Sequence, residues 1–426
     1  MSPNVPVKVN MKTILTAGPP AYEGYTVARV DGKVVMLKGA IPGEVVEAEI
    51  LQEKKDYSIA AAVRILEPSQ ARVEPPCPYF TACGQSTACG GCQLQYASYP
   101  MQVRIKEEVL ASSLRRIGKL ELSLSEPLTG QPWNYRHRGK FQISGGRAGY
   151  FMERSNRVVD IDRCLLMTEE INEAFIGAKN ILKDTGAREL HILKGDKNLA
   201  LIKASSAENN WKRICGLLLG GGFAGVRVEA EGKRPQVFGS DKLTLGLDGL
   251  KYSVSAGSFF QADWNLNRAL VRLVMESLAP LDGKTVLDLY SGAGNFALPV
   301  ARLARRVAAV EESRSSVNDG RENARANGIE NCEFVPSGVD RFKVRERFDV
   351  VIIDPPRAGI SETCAGKILA VSPSVIVYVS CNPSTLARDL GRLRKDYEVE
   401  SVRLVDFFPQ TYHVEALAVL TRRRRS

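Results

Sequence analysis

The chain has 426 residues, 44% hydrophobic and 25% charged, which is a globular composition and excludes bulk disorder. Its 58 Lys and Arg against 48 Asp and Glu give a formal charge of +10, and this favours a polyanionic partner over a neutral one. Nine cysteines are too few for a disulfide scaffold, and neither a secretory-signal core nor an apolar run of ~20 residues is present, so we expect a cytoplasmic protein without a membrane span.

The first part of the chain predicts a small β-module. Two apolar runs, Val27–Val30 and Val34–Leu37, flank Asp31-Gly32, a pair that readily adopts the positive φ angles of a tight hairpin turn. Further strands are predicted over Val45–Leu51 and Tyr57–Leu66. Short strands so closely spaced favour a closed barrel of the oligonucleotide-binding type, with a ligand-free barrel as the alternative.

A cysteine-rich segment follows the predicted barrel. Cys83, Cys89 and Cys92 are closely spaced, and Cys77 lies just upstream. Such a density supports a zinc site, an iron–sulfur cluster or disulfides, and the spacing alone does not choose among them. Cys215, Cys332 and Cys364 have no such context, and we expect them to be buried residues without a role in chemistry.

The middle of the chain predicts a mixed α+β region. The pattern indicates helices over Met101–Ile117, Thr168–Asp184 and Asn209–Leu219, and strands over Tyr135–Ile143 and Leu190–Lys203. The segment 133–141 interleaves aromatic residues with four potential cations, which suits the stacking of RNA bases and the binding of phosphates. An ordinary amphipathic strand with a charged face is the alternative.

From about Gly283 onward, strands and helices alternate. The predicted strands are Thr285–Tyr290, Val307–Glu311, Glu333–Val335, Asp349–Asp354, Val375–Ser380 and Glu415–Thr421, and the predicted helices are Phe296–Arg305 and Arg314–Asn327. This alternation predicts a doubly wound, mostly parallel α/β sheet, which binds ligands at the carboxyl ends of its strands.

Three sequences at these strand ends bear on the identity of the cofactor, and the third of them favours S-adenosylmethionine. The glycine turn in DLYSGAGNF, which ends at Phe296, and the acid Glu311 at the next strand end would both suit a dinucleotide or another adenosine cofactor. Asp354-Pro-Pro-Arg357 has no obvious use in a dehydrogenase. An acid or amide followed by two prolines is typical of methyltransferases that present a base to S-adenosylmethionine.

The next strand end supplies a nucleophile. Cys381 follows the strand Val375–Ser380, and a soft thiolate suits addition to C6 of a pyrimidine, which makes C5 able to accept a methyl group. A base must then remove the C5 proton before the thiolate can leave. His413 and Glu415 are both candidates on chemical grounds, and structural capping is the alternative for each.

The motifs SFFQ (258–261), DLYSGAGNF, AVEE (309–312), DPPR, SCNP and HVE occur in the order found in RNA uracil-5-methyltransferases, which the chain resembles over nearly its whole length. The stretch VARVDGK and the IPGE motif resemble a TRAM domain. The resemblance implies that Gln261, Tyr290, Glu311 and Asp354 bind S-adenosylmethionine. It also implies that Cys381 is the nucleophile and Glu415 the base, with His413 as second choice. The family usually has cysteine at the position of Ser291, a nearly isosteric change.

The same resemblance implies a 4Fe–4S cluster with a distant fourth ligand, whose position Cys164 matches. Cys89 and Cys92 belong to this ligand set. One cysteine is in excess, because the spacing selects Cys83 as the first ligand while the context of Cys77 resembles the first-ligand motif of the family. We favour Cys77.

The predicted architecture has three parts. Residues 1–68 form a TRAM-like, RNA-binding β-barrel, residues 69–250 a mixed α+β domain with the iron–sulfur cluster, and residues 251–426 a Rossmann-like methyltransferase domain. The predicted function is methylation of C5 of a uridine in RNA by a monomer, with 23S rRNA favoured and tRNA as an alternative. Amino-group methylation of adenine or guanine and a non-enzymatic, redox-sensing RNA-binding protein are the other hypotheses.

Overall fold

The structure, a computed structural model, describes residues 11–82, 88–205 and 210–424. Contacts divide the chain into two compact units. Unit 1 comprises Met1–Val109, Gly149–Ile161 and Phe408–His413, and unit 2 comprises Leu110–Ala148, Asp162–Phe407 and Val414–Ser426. None of the helices in the described residues has the length and apolar character needed to cross a membrane.

The described residues form strands throughout, and regular alternation of strands with α-helices begins only in the last part of the chain. The strands are β1 Lys12–Thr16, β2 Pro20–Ala21, β3 Tyr25–Val30, β4 Lys33–Lys38, β5 Val45–Glu53, β6 Tyr57–Glu67, β7 Ser125–Leu128, β8 Arg138–Ser144, β9 Arg147–Phe151, β10 Val158–Asp160, β11 Ala187–Lys194, β12 Asn198–Ala204, β13 Gly225–Ala230, β14 Gln236–Gly239, β15 Lys242–Leu247, β16 Leu250–Ser255, β17 Thr285–Leu289, β18 Arg306–Glu311, β19 Cys332–Pro336, β20 Val350–Ile353, β21 Val375–Ser380, β22 Tyr397–Val405 and β23 Glu415–Arg422. The helices are α1 Tyr99–Ser113, α2 Glu169–Leu182, α3 Trp211–Gly220, α4 Trp264–Leu278, α5 Ala297–Ala301, α6 Arg314–Ala326, α7 Glu362–Val371 and α8 Pro383–Leu393.

Unit 1 contains the predicted N-terminal barrel. Its six strands lie in the order β1–β5–β6–β4–β3–β2, and β1 and β2 are successive parts of one bent segment, which closes the sheet. At the bend, the Gly18 amide donates to the Val27 carbonyl at 2.9 Å. A Cβ at Gly18 would lie 2.4 Å from that oxygen, so the close approach requires glycine. The predicted turn is confirmed, with φ angles of 47° at Asp31 and 82° at Gly32.

The central part of unit 2 holds the sheet order β8–β11–β12–β13–β14, with α2 packed on β11 and α3 on β13. The single strand predicted over Leu190–Lys203 is wrong: the segment forms the antiparallel pair β11 and β12. The chain reverses at Gly195–Lys197, where the Asp196 carboxylate accepts the Thr244 amide at 2.6 Å. Because this hydrogen bond joins residues far apart in the chain, the local apolar pattern does not predict the reversal.

The last part of unit 2 is the predicted α/β sheet, with strand order β19–β18–β17–β20–β21–β23–β22–β7. Strands β17 to β21 are parallel, and β23 pairs antiparallel with β21. The order reverses between β17 and β20, which is the switch point where such sheets bind ligands. Helix α5 is shorter than predicted because the Arg305 amide donates to the Lys284 carbonyl at 2.9 Å and draws the chain toward β18.

Candidate active site

The turn after β17 is built from residues with positive φ angles. These angles are 63° at Tyr290, 55° at Gly292 and 92° at Gly294. A Cβ on Gly294 would lie 2.8 Å from Leu298 Cγ, so a larger residue would distort the turn. The Gly292 amide donates to the Glu311 carboxylate at 3.1 Å. Glu311 therefore fixes this turn from the end of the neighbouring strand.

The turn borders a largely apolar pocket, the kind of concave surface on which small molecules bind. Three of the four predicted cofactor residues, Gln261, Tyr290 and Asp354, line it. Glu311 is not among the lining residues and reaches the site through the Gly292 amide. The Ser291 hydroxyl, also in the lining, is buried and has no hydrogen-bond partner in the described part of the chain.

The segment Ser258–Gln261 reaches the pocket because a buried carboxylate on α6 holds it. Asp319 is 1% exposed and accepts the Ser258 hydroxyl at 2.6 Å and the Ser255 hydroxyl at 2.7 Å. The sequence analysis missed Asp319, because a single acid inside a helix carries no local signal. The same segment exposes 66% of Phe259.

Carboxyl groups dominate the electrostatics of the pocket. Burial raises the pKa of Asp354 to about 7. Burial also raises the pKa of Asp288 well above its ordinary value, and the charges of Asp354 and Glu311 add to this effect. A cationic ligand beside Asp354 would favour the charged form of this carboxyl, which burial disfavours.

Cys381 lies directly after β21, as predicted. The pairing of β21 with β23 ends at Ser380 and Ala416, and continuing this register by one residue brings Glu415 opposite Cys381. Glu415 is 8% exposed. The thiol pKa of Cys381 is raised to about 11, mainly by burial and in smaller part by the charges of Glu415 and Asp354, which outweigh the lowering effect of Arg357. The structure thus brings together a nucleophile, a carboxylate and a cation.

His413 has a different environment from Glu415. It belongs to unit 1 and Glu415 to unit 2, and its ring centroid lies 5.5 Å from Phe408 and 4.5 Å from Tyr412. Two hydrogen bonds to Gln102 hold the segment Phe408–His413. The Gln102 side-chain oxygen accepts from the Gln410 backbone amide, and the Gln102 side-chain nitrogen donates to the Gln410 side-chain oxygen, both at 2.8 Å.

The predicted cluster cysteines are divided between the two units. Cys77, Cys89 and Cys92 lie in unit 1 and Cys164 in unit 2, all partly buried and outside any disulfide, whereas Cys83 lies outside the described residues. The Gly91 amide donates to Cys89 Sγ at 3.4 Å. No group of three or more potential ligands is assembled within residues 11–82, 88–205 and 210–424. The cluster is therefore not shown.

Cys215 and Cys364 are buried and Cys332 is partly buried, and the basic segment 133–141 mixes buried with partly exposed residues. Burial raises the pKa of Cys215 to about 11 and that of Cys332 to about 12. Tyr135 and Phe141 are 3% and 0% exposed, so these two rings are not available to stack on bases. Trp133, Arg136 and Arg138 are partly exposed, so the predicted RNA contacts of the rest of the segment stay a prediction. The Arg138 guanidinium lies 5.3 Å from the exposed ring of Phe259.

Comparison with known proteins identifies the family. The tRNA (uracil-5-)-methyltransferase family model matches residues 235–423, and the TRAM domain model matches residues 7–63. The 23S rRNA (uracil(1939)-C(5))-methyltransferase RlmD of Neisseria lactamica is 33% identical, over 93% of both chains. The chain belongs to the RNA uracil-5-methyltransferase family. This methyltransferase is also 32% identical to an uncharacterised RNA methyltransferase of Halalkalibacterium halodurans, over 97% of its own length and 98% of the relative's.

A solved structure shares the fold of the methyltransferase. The tRNA (uracil-54, C5)-methyltransferase of Pyrococcus abyssi, in complex with S-adenosyl-L-homocysteine, matches with a TM-score of 0.76 and 24% identity over 96% of this chain and 99% of that one. The comparisons confirm the predicted family, the TRAM domain and the Rossmann-like fold. The methyltransferase is thus an S-adenosylmethionine-dependent enzyme acting on uracil in RNA.

Proposed function

We propose that the enzyme methylates C5 of a uridine in 23S rRNA through a covalent adduct between Cys381 and C6 of the base. The observation that carries this proposal is the register of β21 and β23, which brings Glu415 opposite Cys381. Relatives named as 23S rRNA uracil-C5-methyltransferases support the choice of RNA. A tRNA uridine is the second candidate substrate.

The pocket residues fit S-adenosylmethionine. Gln261, Tyr290 and Asp354 would hold the cofactor, and Glu311 would bind it or support the turn beside it. The unpartnered Ser291 hydroxyl offers a further hydrogen bond, and the buried carboxyls suit a cation. When bound, the cofactor supplies an electrophilic methyl group on a sulfonium.

Cys381 and Glu415 would act on the base in sequence. The thiolate adds to C6, which turns C5 into an enolate-like carbon that accepts the methyl group. Glu415 then removes the C5 proton as a general base, and elimination of Cys381 releases 5-methyluridine. His413 is the second candidate for the base, and its packing against Phe408 and Tyr412 favours Glu415 instead.

Mapping 5-methyluridine tests the RNA target. RNA from cells lacking this protein should lose 5-methyluridine at one 23S rRNA position, and the wild-type gene should restore it. Loss from tRNA alone would select the second candidate. A Cys381→Ala enzyme that kept full activity would instead support amino-group methylation, because that reaction needs no nucleophile. An active wild-type enzyme also excludes a purely redox-sensing role.

We also propose a 4Fe–4S cluster held by Cys89, Cys92, Cys164 and either Cys77 or Cys83. The donor set fits, since the three described cysteines of unit 1 are partly buried and outside any disulfide, and the Gly91 amide donates to the Cys89 sulfur, the kind of hydrogen bond that tunes cluster sulfurs. The cluster would supply structural cross-linking or electron transfer. Protein purified without oxygen should hold about four irons.

Single substitutions test this ligand set. Changing Cys89, Cys92 or Cys164 to Ser should remove the iron and its visible absorbance, whereas only one of Cys77→Ser and Cys83→Ser should do so. Cys332→Ser, outside the set, is the matched control. Zinc in place of iron, or retention of iron after Cys164→Ser, would contradict the proposal. The division at residues 68 and 250, the monomeric state and the cytoplasmic location remain predictions.

A further inference from the structure

A buried carboxylate on α8 joins the loop after β20 to the strand β21, which ends just before the nucleophile. Asp389 is 0% exposed. Its Oδ2 accepts the Tyr378 hydroxyl at 2.8 Å and the Ile360 amide at 2.9 Å. Its Oδ1 accepts Arg388 Nε at 2.9 Å and Arg392 Nη1 at 3.3 Å. Four donors therefore surround one carboxylate and fill its roughly four acceptor sites, and two of them carry positive charge, as a buried carboxylate requires.

The loop that Asp389 holds is the one that begins with Asp354-Pro-Pro-Arg357. The Arg388 guanidinium donates to the Ala358 carbonyl at 2.8 Å and to the Ile360 carbonyl at 3.3 Å. Gly359 has a φ of +74°, and a Cβ there would lie 2.3 Å from Asp389 Oδ2. The absence of a side chain at Gly359 thus lets the loop approach the carboxylate.

The same helix begins at the nucleophile. Asn382 follows Cys381 and caps α8 by accepting the Ser384 amide at 3.0 Å. Its Nδ2 donates to the Arg357 carbonyl at 3.2 Å, and the Thr385 hydroxyl donates to the same oxygen at 3.2 Å. The residues that contact the loop from Arg357 to Ile360 therefore lie on one face of α8 and its N-cap. They are at positions 382, 385, 388, 389 and 392.

We propose that Asp389 is a positioning residue that holds the loop of Asp354 and Arg357 in register with Cys381. The inference rests on the proposed function, in which Cys381 attacks the base and Asp354 helps to hold the cofactor, while Arg357 lowers the pKa of the thiol. Hydrogen bonds from α8 hold the loop from Arg357 to Ile360. Asp389 neutralises the two arginines that reach the loop carbonyls, and it accepts a loop amide directly, so it couples the loop to the helix that starts at the nucleophile.

The replacement Asp389→Asn tests this role with little change in size. Its amide cannot accept from four donors, so the loop should loosen and Arg357 should lose its fixed place near the thiol. We expect kcat to fall about 10- to 100-fold, the order expected for a misplacement of about 1 Å. The KM for S-adenosylmethionine should change less than kcat, because the contacts from α8 reach residues 357–360, whereas the Asp354 amide donates to the Leu289 carbonyl at 3.3 Å and Gln261 and Tyr290 lie on other elements. Adduct formation with RNA carrying 5-fluorouridine, which blocks the elimination step, should slow in proportion to kcat.

Amide hydrogen exchange gives a readout independent of activity. The peptide spanning residues 354–360 should exchange faster in Asp389→Asn, while peptides of β17 and β18 stay protected. Asp349→Asn is the matched control: that carboxylate accepts the Thr285 amide at 2.8 Å at the opposite end of the strands. This variant should lose stability without a selective loss of kcat.

Two further variants test the same proposal if Asp389→Asn does not fold. Arg388→Gln removes the contacts to the loop carbonyls from a side chain that is 39% exposed, and Gly359→Ala forces the loop away from the carboxylate. Both should lower kcat and increase exchange over residues 354–360. Faster exchange with wild-type kcat would overturn the positioning role, as would a loss of kcat without faster exchange. A wild-type enzyme inactive on uridine would refute the proposed function alone, since the exchange experiment would still report on the loop.

Discussion

The raised pKa of Cys381 leads to a quantitative prediction about its reactivity in the free enzyme. Burial raises the thiol pKa to about 11 from an ordinary value of 9.0. At pH 8, roughly one thiol in a thousand would then be ionised, against about one in ten for an ordinary thiol. We expect iodoacetamide to alkylate Cys381 about 100-fold more slowly than a small-molecule thiol, with a rate that increases tenfold for each pH unit up to pH 10.

Neighbouring charges should change this rate in opposite directions. Glu415→Gln removes a negative charge that raises the thiol pKa, so alkylation at pH 8 should be faster by up to roughly tenfold. Arg357→Gln removes the cation that lowers the pKa, so alkylation should be slower. Glu398→Gln, an exposed acid of β22, is the matched control and should leave the rate unchanged.

Time-resolved peptide mass spectrometry can follow Cys381 separately from the other cysteines. Alkylation of Cys381 at the rate of a simple thiol at pH 8 would refute this reasoning, as would equal rates for wild type and Glu415→Gln. A slow thiol in the free enzyme has a functional meaning. The nucleophile is protected from oxidants and alkylating agents, and it needs the bound substrate or an acceptor for its proton to become reactive.

Further predictions concern the base, the RNA and the buried acid of the pocket. Glu415→Gln keeps the size of the side chain but loses its basicity, so a methylated covalent protein–RNA adduct should accumulate as a slow band on a denaturing gel; an adduct trapped by His413→Ala instead would make His413 the base. RNA binding should weaken with salt by a slope of about −0.7 per phosphate neutralised on single strands, and removing the residues before Ser69 should weaken RNA binding more than cofactor binding; equal losses would contradict an RNA-binding barrel. The pKa of Asp354 is raised to about 7, so its contribution to stability is present at low pH and is lost as the pH rises toward 7. Asp354→Asn should therefore melt above wild type at pH 8 and close to it at pH 4, and a constant difference in melting temperature across this range would contradict that assignment.

Local sequence signals identified the parts of the fold that depend on local physics. The Asp31-Gly32 hairpin, the glycine turn before Phe296 and the position of Cys381 after a buried strand all follow from turn chemistry and strand periodicity. The comparisons confirm the family and the TRAM domain, which the order of the motifs had indicated. The roles of the individual site residues remain predictions.

Features that depend on distant contacts were not visible in the sequence. The reversal between β11 and β12 depends on an anchor at Thr244, and the burial of Tyr135 and Phe141 depends on the strands and helices that pack on β8. Asp319 and Asp389 read as ordinary helical acids until the structure shows which loops donate to them. An amphipathic pattern gives which face of an element is buried, but it does not identify the groups that meet that face.

The two units share interleaved segments of the chain, which limits how this enzyme can be divided into fragments. Residues 408–413 belong to unit 1, although residues on both sides of them belong to unit 2, and Gln410 and Thr411 are buried there at 2% and 1% exposure. A fragment that begins at residue 251 would keep this segment but lose the hydrogen bonds from Gln102 that hold it. The segment ends two residues before Glu415. The catalytic portion is therefore not a transferable module, and a swap of N-terminal domains between relatives would have to exchange residues 408–413 as well.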